Sequence, residues 1–321
     1  MKKAIATMLL GIFSAMSFAA LAQTQFPTRP VRIVVPYPPG GIDAIPRMIA
    51  DKMRQDWGQP LIFDHRPGAG GRIAAEFVAK STPDGYTLLM GLPDTLVIVP
   101  LISKTVSFDV ARDFAPVTVM LSTSFGIAVK KALPVANIQE LVAMAKAHPR
   151  KLSASTWGEG STAHLGLELL KSMAAVDILH VPYKGAAAAM SALVAGDVDM
   201  MITGQFAAGP HIKSGRIRMI ARTSLVRSPD MPDVPTVAAS YPGYSVGTWV
   251  GLLAPAGTPQ QAITVTQRAV AQAVTSPDVR ARSASLFFEP VANTPEEFGE
   301  LLRTEHTKWA SVVRAAKIQV D

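Results

Sequence analysis

The chain has no cysteine. That excludes disulfides, thiolate zinc sites and cysteine nucleophiles. Aromatic residues make up only 7% and are scattered, and no block of Lys and Arg interrupts the sequence. Nothing here has the interleaved basic and aromatic pattern of a nucleic-acid binder, so no nucleic-acid partner is expected. Beyond the first residues no apolar run is long enough to span a bilayer. There is no G-x-S-x-G elbow, no Walker A motif and no H-E-x-x-H. The six histidines do not cluster at ligand spacing along the chain. No catalytic residue, metal site or cofactor is therefore expected. Gly158, Gly160 and Ala163 match G-x-G-x-x-A, but no acid closes the next strand, since Asp177 precedes it.

What is present starts with a leader. "MKK" is basic, "AIATMLLGIFSAMSFAA" is apolar, and "ALA" at Ala20–Ala22 is a small-x-small cleavage site. Residues 1–22 have the pattern of a secretory signal peptide, and export without cysteine suits a Gram-negative periplasm. The formal net charge of +7 favours anionic ligands through steering.

The remainder alternates between strand-like and helix-like segments. Strands are expected at 31–36, 60–65, 86–91, 115–121, 125–131, 151–156, 178–183, 198–203, 217–223 and 246–255. They are short and β-branched or continuously apolar, as in the buried strands of an α/β protein with mostly parallel sheets. Asp43 is placed to cap a helix with Ile45, Met48, Ile49 and Met53 on one face. Asn137 with Glu140, and Thr294 with Pro295 and Glu297, have the pattern of further helix starts. Only "STS" separates strand 115–121 from strand 125–131, too little for a helical crossover, so the chain is expected to pass there between two domains. The turn-rich connector 227–244 would be the return. Domain 1 is then 23–121 plus 245–321, and domain 2 is 122–244.

Four corners follow candidate strands, where open α/β sheets bind ligands. They are "YPPGGID" (37–43), "RPGAGGRIAAE" (66–76), "GLPDTL" (91–96) and "TWGEGSTAHLGLELL" (156–170). Gly40 and Gly41 allow close backbone approach. Ser161 or Thr162 would cap a helix whose first-turn N–H groups are open to an anion. His164 and Glu168 are four apart on that helix, His180 lies in an apolar strand, and Lys184 follows a strand and could face a carboxylate or simply solvent. Taken together, the corners suit capture of a carboxylate without chemistry.

At these residues the chain resembles the Bug family, the periplasmic receptors of tripartite tricarboxylate transporters. The likeness rests on "PVRIVVPYPPGGIDAIPRMIADKM", "GQPLIFDHRPGAGGRIAAEFVAKSTPDGYTLL", "GEGSTAHLGLELL", "HVPYKGAAAAMSALVAGDVDMMI", "WVGLLAPAGTP" and "TPEEFGELLRTEHTKWASVV". The resemblance implies a type II periplasmic binding protein-like fold: two α/β domains joined by crossover strands, with a ligand cleft between them. It implies a monomer that binds a small carboxylate, partly through bridging water, and delivers it to membrane permease subunits or presents it to a sensor protein. The implied grip is Tyr37–Asp43 (with Pro39, Gly40, Gly41 and Asp43) and Gly158–His164 (with Gly160, Ser161, Thr162 and His164). Ala69, Gly70, Asp94, Thr95, Trp157 and Lys184 would meet the rest of the ligand. Ile42, His65 and Glu159 depart from the family pattern. Glu159 and Trp157 shift the expected ligand from citrate-like acids toward aromatic monocarboxylates or amino acids. A secreted enzyme is the third reading, and it lacks a constellation.

Overall fold

The computed structural model describes residues 26–227 and 231–319, so the expected leader lies outside the described residues. Among the described residues ten strands form one connected sheet: β1 (Val31–Val35), β2 (Leu61–His65), β3 (Thr87–Gly91), β4 (Phe114–Lys130), β5 (Ser153–Thr156), β6 (Leu179–Pro182), β7 (Met200–Gly204), β8 (Ile217–Arg222), β9 (Gly247–Pro255) and β10 (Glu289–Pro290). The order is β2-β1-β3-β9-β4-β7-β5-β6, with β8 and β10 also paired to β4. Nine longer helices of the described residues cover the sheet: α1 (Ala44–Trp57), α2 (Arg72–Ala79), α3 (Ile138–Ala147), α4 (Thr162–Ala174), α5 (Ala186–Ala195), α6 (Gln205–Lys213), α7 (Gln260–Val274), α8 (Pro277–Ser285) and α9 (Pro295–Ala316).

Two expectations change. Strands 115–121 and 125–131 are one strand, β4, because Ser122, Thr123 and Ser124 stay extended and pair with Trp249, Thr248 and Gly247 of β9. The strand keeps its direction while its partners change, from β9 up to Ser124 to β7 and β8 from Phe125 onward. Nor is the sheet mostly parallel. β1 pairs parallel with β2 and β3, and β5 with β6 and β7, but every pairing of β9 and β4 is antiparallel. The helical crossovers on either side enforce parallel neighbours. β4 and β9 carry the chain out and back, so they run in opposite directions.

The helices form where their apolar spacing reaches the sheet. Ile45, Ile49 and Met53 of α1 are buried on one face. Thr294 and Glu297 make a reciprocal capping box at the start of α9, and Asn137 accepts from the Glu140 N–H at the start of α3. Phe298 of α9 packs edge-on against Trp249, with ring centroids 5.1 Å apart. Its ring fills the space a side chain at Gly251 would need, 2.5 Å from the position of such a Cβ. One hydrophobic cluster runs from Val34 and Leu89 through Phe125 and Leu165 to Trp309. No helix among the described residues is long and apolar enough to cross a membrane.

Candidate functional site

The corner after β1 is held by side chains that turn inward. Asp43 is buried, but it does not cap α1. Its backbone is already helical in the short turn Gly41–Asp43 (φ −94°, ψ −2°), and its side chain makes no hydrogen bond to the helix start. Oδ1 instead reaches back to accept the Gly40 N–H at 3.1 Å, and Oδ2 accepts from Arg47 Nε at 2.9 Å. His65 Nδ1 lies 2.9 Å from the Tyr37 carbonyl and Nε2 lies 2.8 Å from Arg47 Nη2. A carbonyl only accepts and a guanidinium only donates, so the network assigns the proton to Nδ1. Asp43, Arg47 and His65 therefore fix the loop and leave Pro39 and Gly40 exposed. Ile42 packs against the apolar cluster under α1.

The second and third corners meet the first at Thr95. Residues 68–71 all have positive φ, from 48° at Ala69 to 128° at Gly68. The chain needs glycine at 71, since a Cβ there would collide with Thr95 and stand 2.9 Å from Pro36 Cβ. Thr95 Oγ1 donates to the Gly70 carbonyl at 3.1 Å and lies 3.4 Å from the Tyr37 hydroxyl. Asp94, one residue earlier in the single π-helical turn Asp94–Ile98, reaches across to α4. Its Oδ1 accepts the Thr162 N–H at 2.8 Å and the Thr162 hydroxyl, with the Trp157 side chain nearby. The residue keeps some solvent exposure while protein atoms surround its carboxyl group. That burial outweighs the hydrogen bonds and raises its pKa. Burial, followed by the charge of Asp94, also raises the Tyr37 phenol.

The fourth corner has several of its donors in use. Ser161 caps α4 from an extended backbone and accepts the His164 N–H at 3.3 Å. Its hydroxyl donates to the Gly158 carbonyl at 2.7 Å, and the Gly160 N–H goes to His164 Nδ1 at 3.1 Å. The expected open anion corner is thus partly filled by the chain itself, with the Asp94 carboxyl group as an acceptor. His164 stacks on His180 with centroids 3.9 Å apart, and His180 Nε2 is 2.7 Å from Thr156 Oγ1. Two histidines that look isolated in the sequence are a pair, because the parallel β5–β6 register sets His180 beside Ala154. Burial lowers both pKa values to about 4, helped by Lys171 for His164 and by His164 for His180. Glu168 stands 4.0 Å from His164 Nε2 and pairs with Lys171 at 2.8 Å.

Tyr37, Gly70, Asp94, Thr95, Trp157 and Thr162 are therefore brought into linked contacts, and Trp157 also packs edge-on against Phe125 at 5.6 Å. Lys184 stays exposed on the turn before α5 and joins none of these hydrogen bonds, and Glu159 is exposed. Sequence reasoning missed Arg47, although its spacing of four from Asp43 on a helix start was a readable signal. It also missed the His164–His180 pair, for which local spacing holds no signal.

A family model described as "Tripartite tricarboxylate transporter family receptor" matches residues 45–318. BugT of Bordetella pertussis is 33% identical over 310 residues, covering 95% of this chain and 95% of that protein. The solved structure of R. palustris Rpa4515 with adipate is 35% identical, covers 92% of this chain and 99% of that one, and superposes with a TM-score of 0.81. MatC from Rhodopseudomonas palustris with bound malate is 33% identical, covers 90% and 100%, and has a TM-score of 0.77.

Proposed function

Because the chain belongs to the tripartite tricarboxylate transporter receptor family, we propose that it captures a small organic acid between the Tyr37–Asp43 turn and the N-terminus of α4. It is a solute-binding receptor with the mixed α/β fold of periplasmic binding proteins, and its family is one of transporter binding proteins, not of enzymes. Such a receptor works with membrane partners. Delivery to permease subunits, and export through a cleaved leader at residues 1–22, belong to the same proposal.

The observation that carries the reading is the seat of Asp94. A carboxyl group is already held there by a helix-start N–H and a hydroxyl, donors of the kind that suit an organic acid. The glycine-rich turn 37–43 faces the same chemistry. Two solved relatives carry adipate and malate. The proposed units are 23–121 with 245–321, and 122–244. They would hinge where β4 changes partners between Ser124 and Phe125, and the ligand would stabilise the closed form by touching both.

The test is a thermal-shift screen of residues 23–321 against citrate, malate, glutamate, aspartate, nicotinate, benzoate and terephthalate. An acid at a hundred times its Kd should add about 2.7 kcal/mol of stability. Ser161→Glu, which sets a negative charge at the cap, should abolish the shift. No shift with any acid, and no small acid released on denaturation, would sink the proposal.

A further inference from the structure

Three residues at the start of α4 have acceptors for their N–H groups within the chain. Thr162 gives its N–H and its hydroxyl to Asp94, the His164 N–H goes to Ser161, and the Gly160 N–H goes to the His164 ring. Ser161 and His164 belong to the same loop and helix as the donors they satisfy. Asp94 does not. It comes from the turn after β3, and its carboxyl group spans the gap between the two sheet regions.

Among the described residues Asp94 accepts hydrogen bonds from Thr162 and makes no ion pair with Lys or Arg. The Tyr37 phenol, which keeps its proton, lies on the neighbouring Thr95. A carboxyl group that is packed by protein and lacks a cationic partner resists a second negative charge nearby, because two close carboxylates in such a site cannot both ionise freely. Neutral and donating groups meet no such penalty, and a ligand ammonium or hydroxyl would gain an acceptor.

We infer that Asp94 is the specificity-determining residue of this receptor, supplying a carboxyl group at the α4 end of the site so that the acid taken up carries a single carboxylate. That carboxylate meets the Tyr37–Asp43 turn, and the end of the ligand facing Asp94 and Trp157 is neutral or donates a hydrogen bond. This rests on the receptor reading above and deepens it, since it selects monocarboxylates and amino-bearing acids over dicarboxylates.

Matched pairs of acids test it, because each pair differs by one carboxylate. Adipate and hexanoate, and terephthalate and benzoate, are titrated calorimetrically into the wild-type receptor, Asp94→Asn and Asp94→Gly. Asp94→Asn keeps an oxygen for the Thr162 N–H, so it should fold even if Asp94→Gly melts early. The wild type should favour the monocarboxylate of a pair by about tenfold or more, the lower end of what one close charge contact does to an ionisation equilibrium. Both variants should move that ratio toward the dicarboxylate by a similar factor. A wild type that prefers the dicarboxylate, or a ratio that neither variant moves, overturns the role of Asp94 and leaves the receptor reading standing. An equal gain for both members of a pair also overturns it, since Asp94 would then compete with every acid and select none. If none of these acids and none of the wider screen binds any form, both readings fall together.

Discussion

Asp43 and Ser161 both precede helices, and only one of them caps. The difference lies in the backbone. Ser161 is extended (φ −77°, ψ 159°), so its oxygen reaches the N–H three residues on, whereas Asp43 already sits in a helical conformation and can only turn back to Gly40. Residue type alone does not distinguish the two. At the same scale, the His164–His180 pair makes a prediction about acid stability. Both rings titrate near 4 in the folded chain, against about 6.5 in an unfolded one. The unfolded chain therefore binds more protons in that interval, and stability falls as pH drops from about 6.5 toward 4. Asp94, with its raised pKa, works in the opposite direction. Melting curves followed by circular dichroism at pH 7 and at about pH 4.5 should show a smaller loss for His180→Phe, which keeps a ring on His164, than for the wild type. An equal loss would remove the histidines as the cause. The place of Asp94 on a turn after a strand was legible. Its partner was not, because nothing local to "GLPDTL" indicates that Thr162 lies opposite.

At the scale of elements, the alternation of strands and helices was legible because each buried strand is a short apolar run and each helix shows its apolar face. The continuity of β4 was hidden by Ser122, Thr123 and Ser124. Three hydroxyl residues look like a break, yet here they lie where the strand leaves one set of partners for another, and Thr123 donates to the Phe287 carbonyl at 2.6 Å. The antiparallel centre was hidden for a related reason. Strand direction depends on which segments become neighbours, and β9 reaches its place between β3 and β4 only after the second sheet region is complete. The capping box of α9 was legible in full from Thr294, Pro295 and Glu297. Replacing Thr294 with Ala should lower stability in urea by about 1 kcal/mol, the usual worth of such a cap. A loss below a few tenths would mean that tertiary packing alone holds the helix start.

Of the three hydrophobic clusters among the described residues, the one with the most members crosses both sheet regions. The cluster containing Val34 and Leu89 is the same one that contains Phe125, Leu165 and Trp309, and α9 packs on β4, on the Asp94–Ile98 turn and on α4. Scanning calorimetry of residues 23–321 without ligand should therefore show one transition, with calorimetric and van't Hoff enthalpies in agreement. Removing residues 295–321 should abolish it rather than leave half of it. Two resolved transitions would show that the regions melt apart. The register of β9 also bears on the order in which the molecule can be assembled. Leu253 must reach Leu89, and Gly247 must reach Ser124, before either face of the central sheet is closed. Contacts between segments so far apart form late, because the long loop between them must first be ordered. A chain emerging from its N-terminus thus leaves the β9-facing edge of β3 and the Phe114–Ser124 stretch of β4 open until Gly247–Pro255 arrive, after β7 and β8, the partners of the rest of β4, are already made.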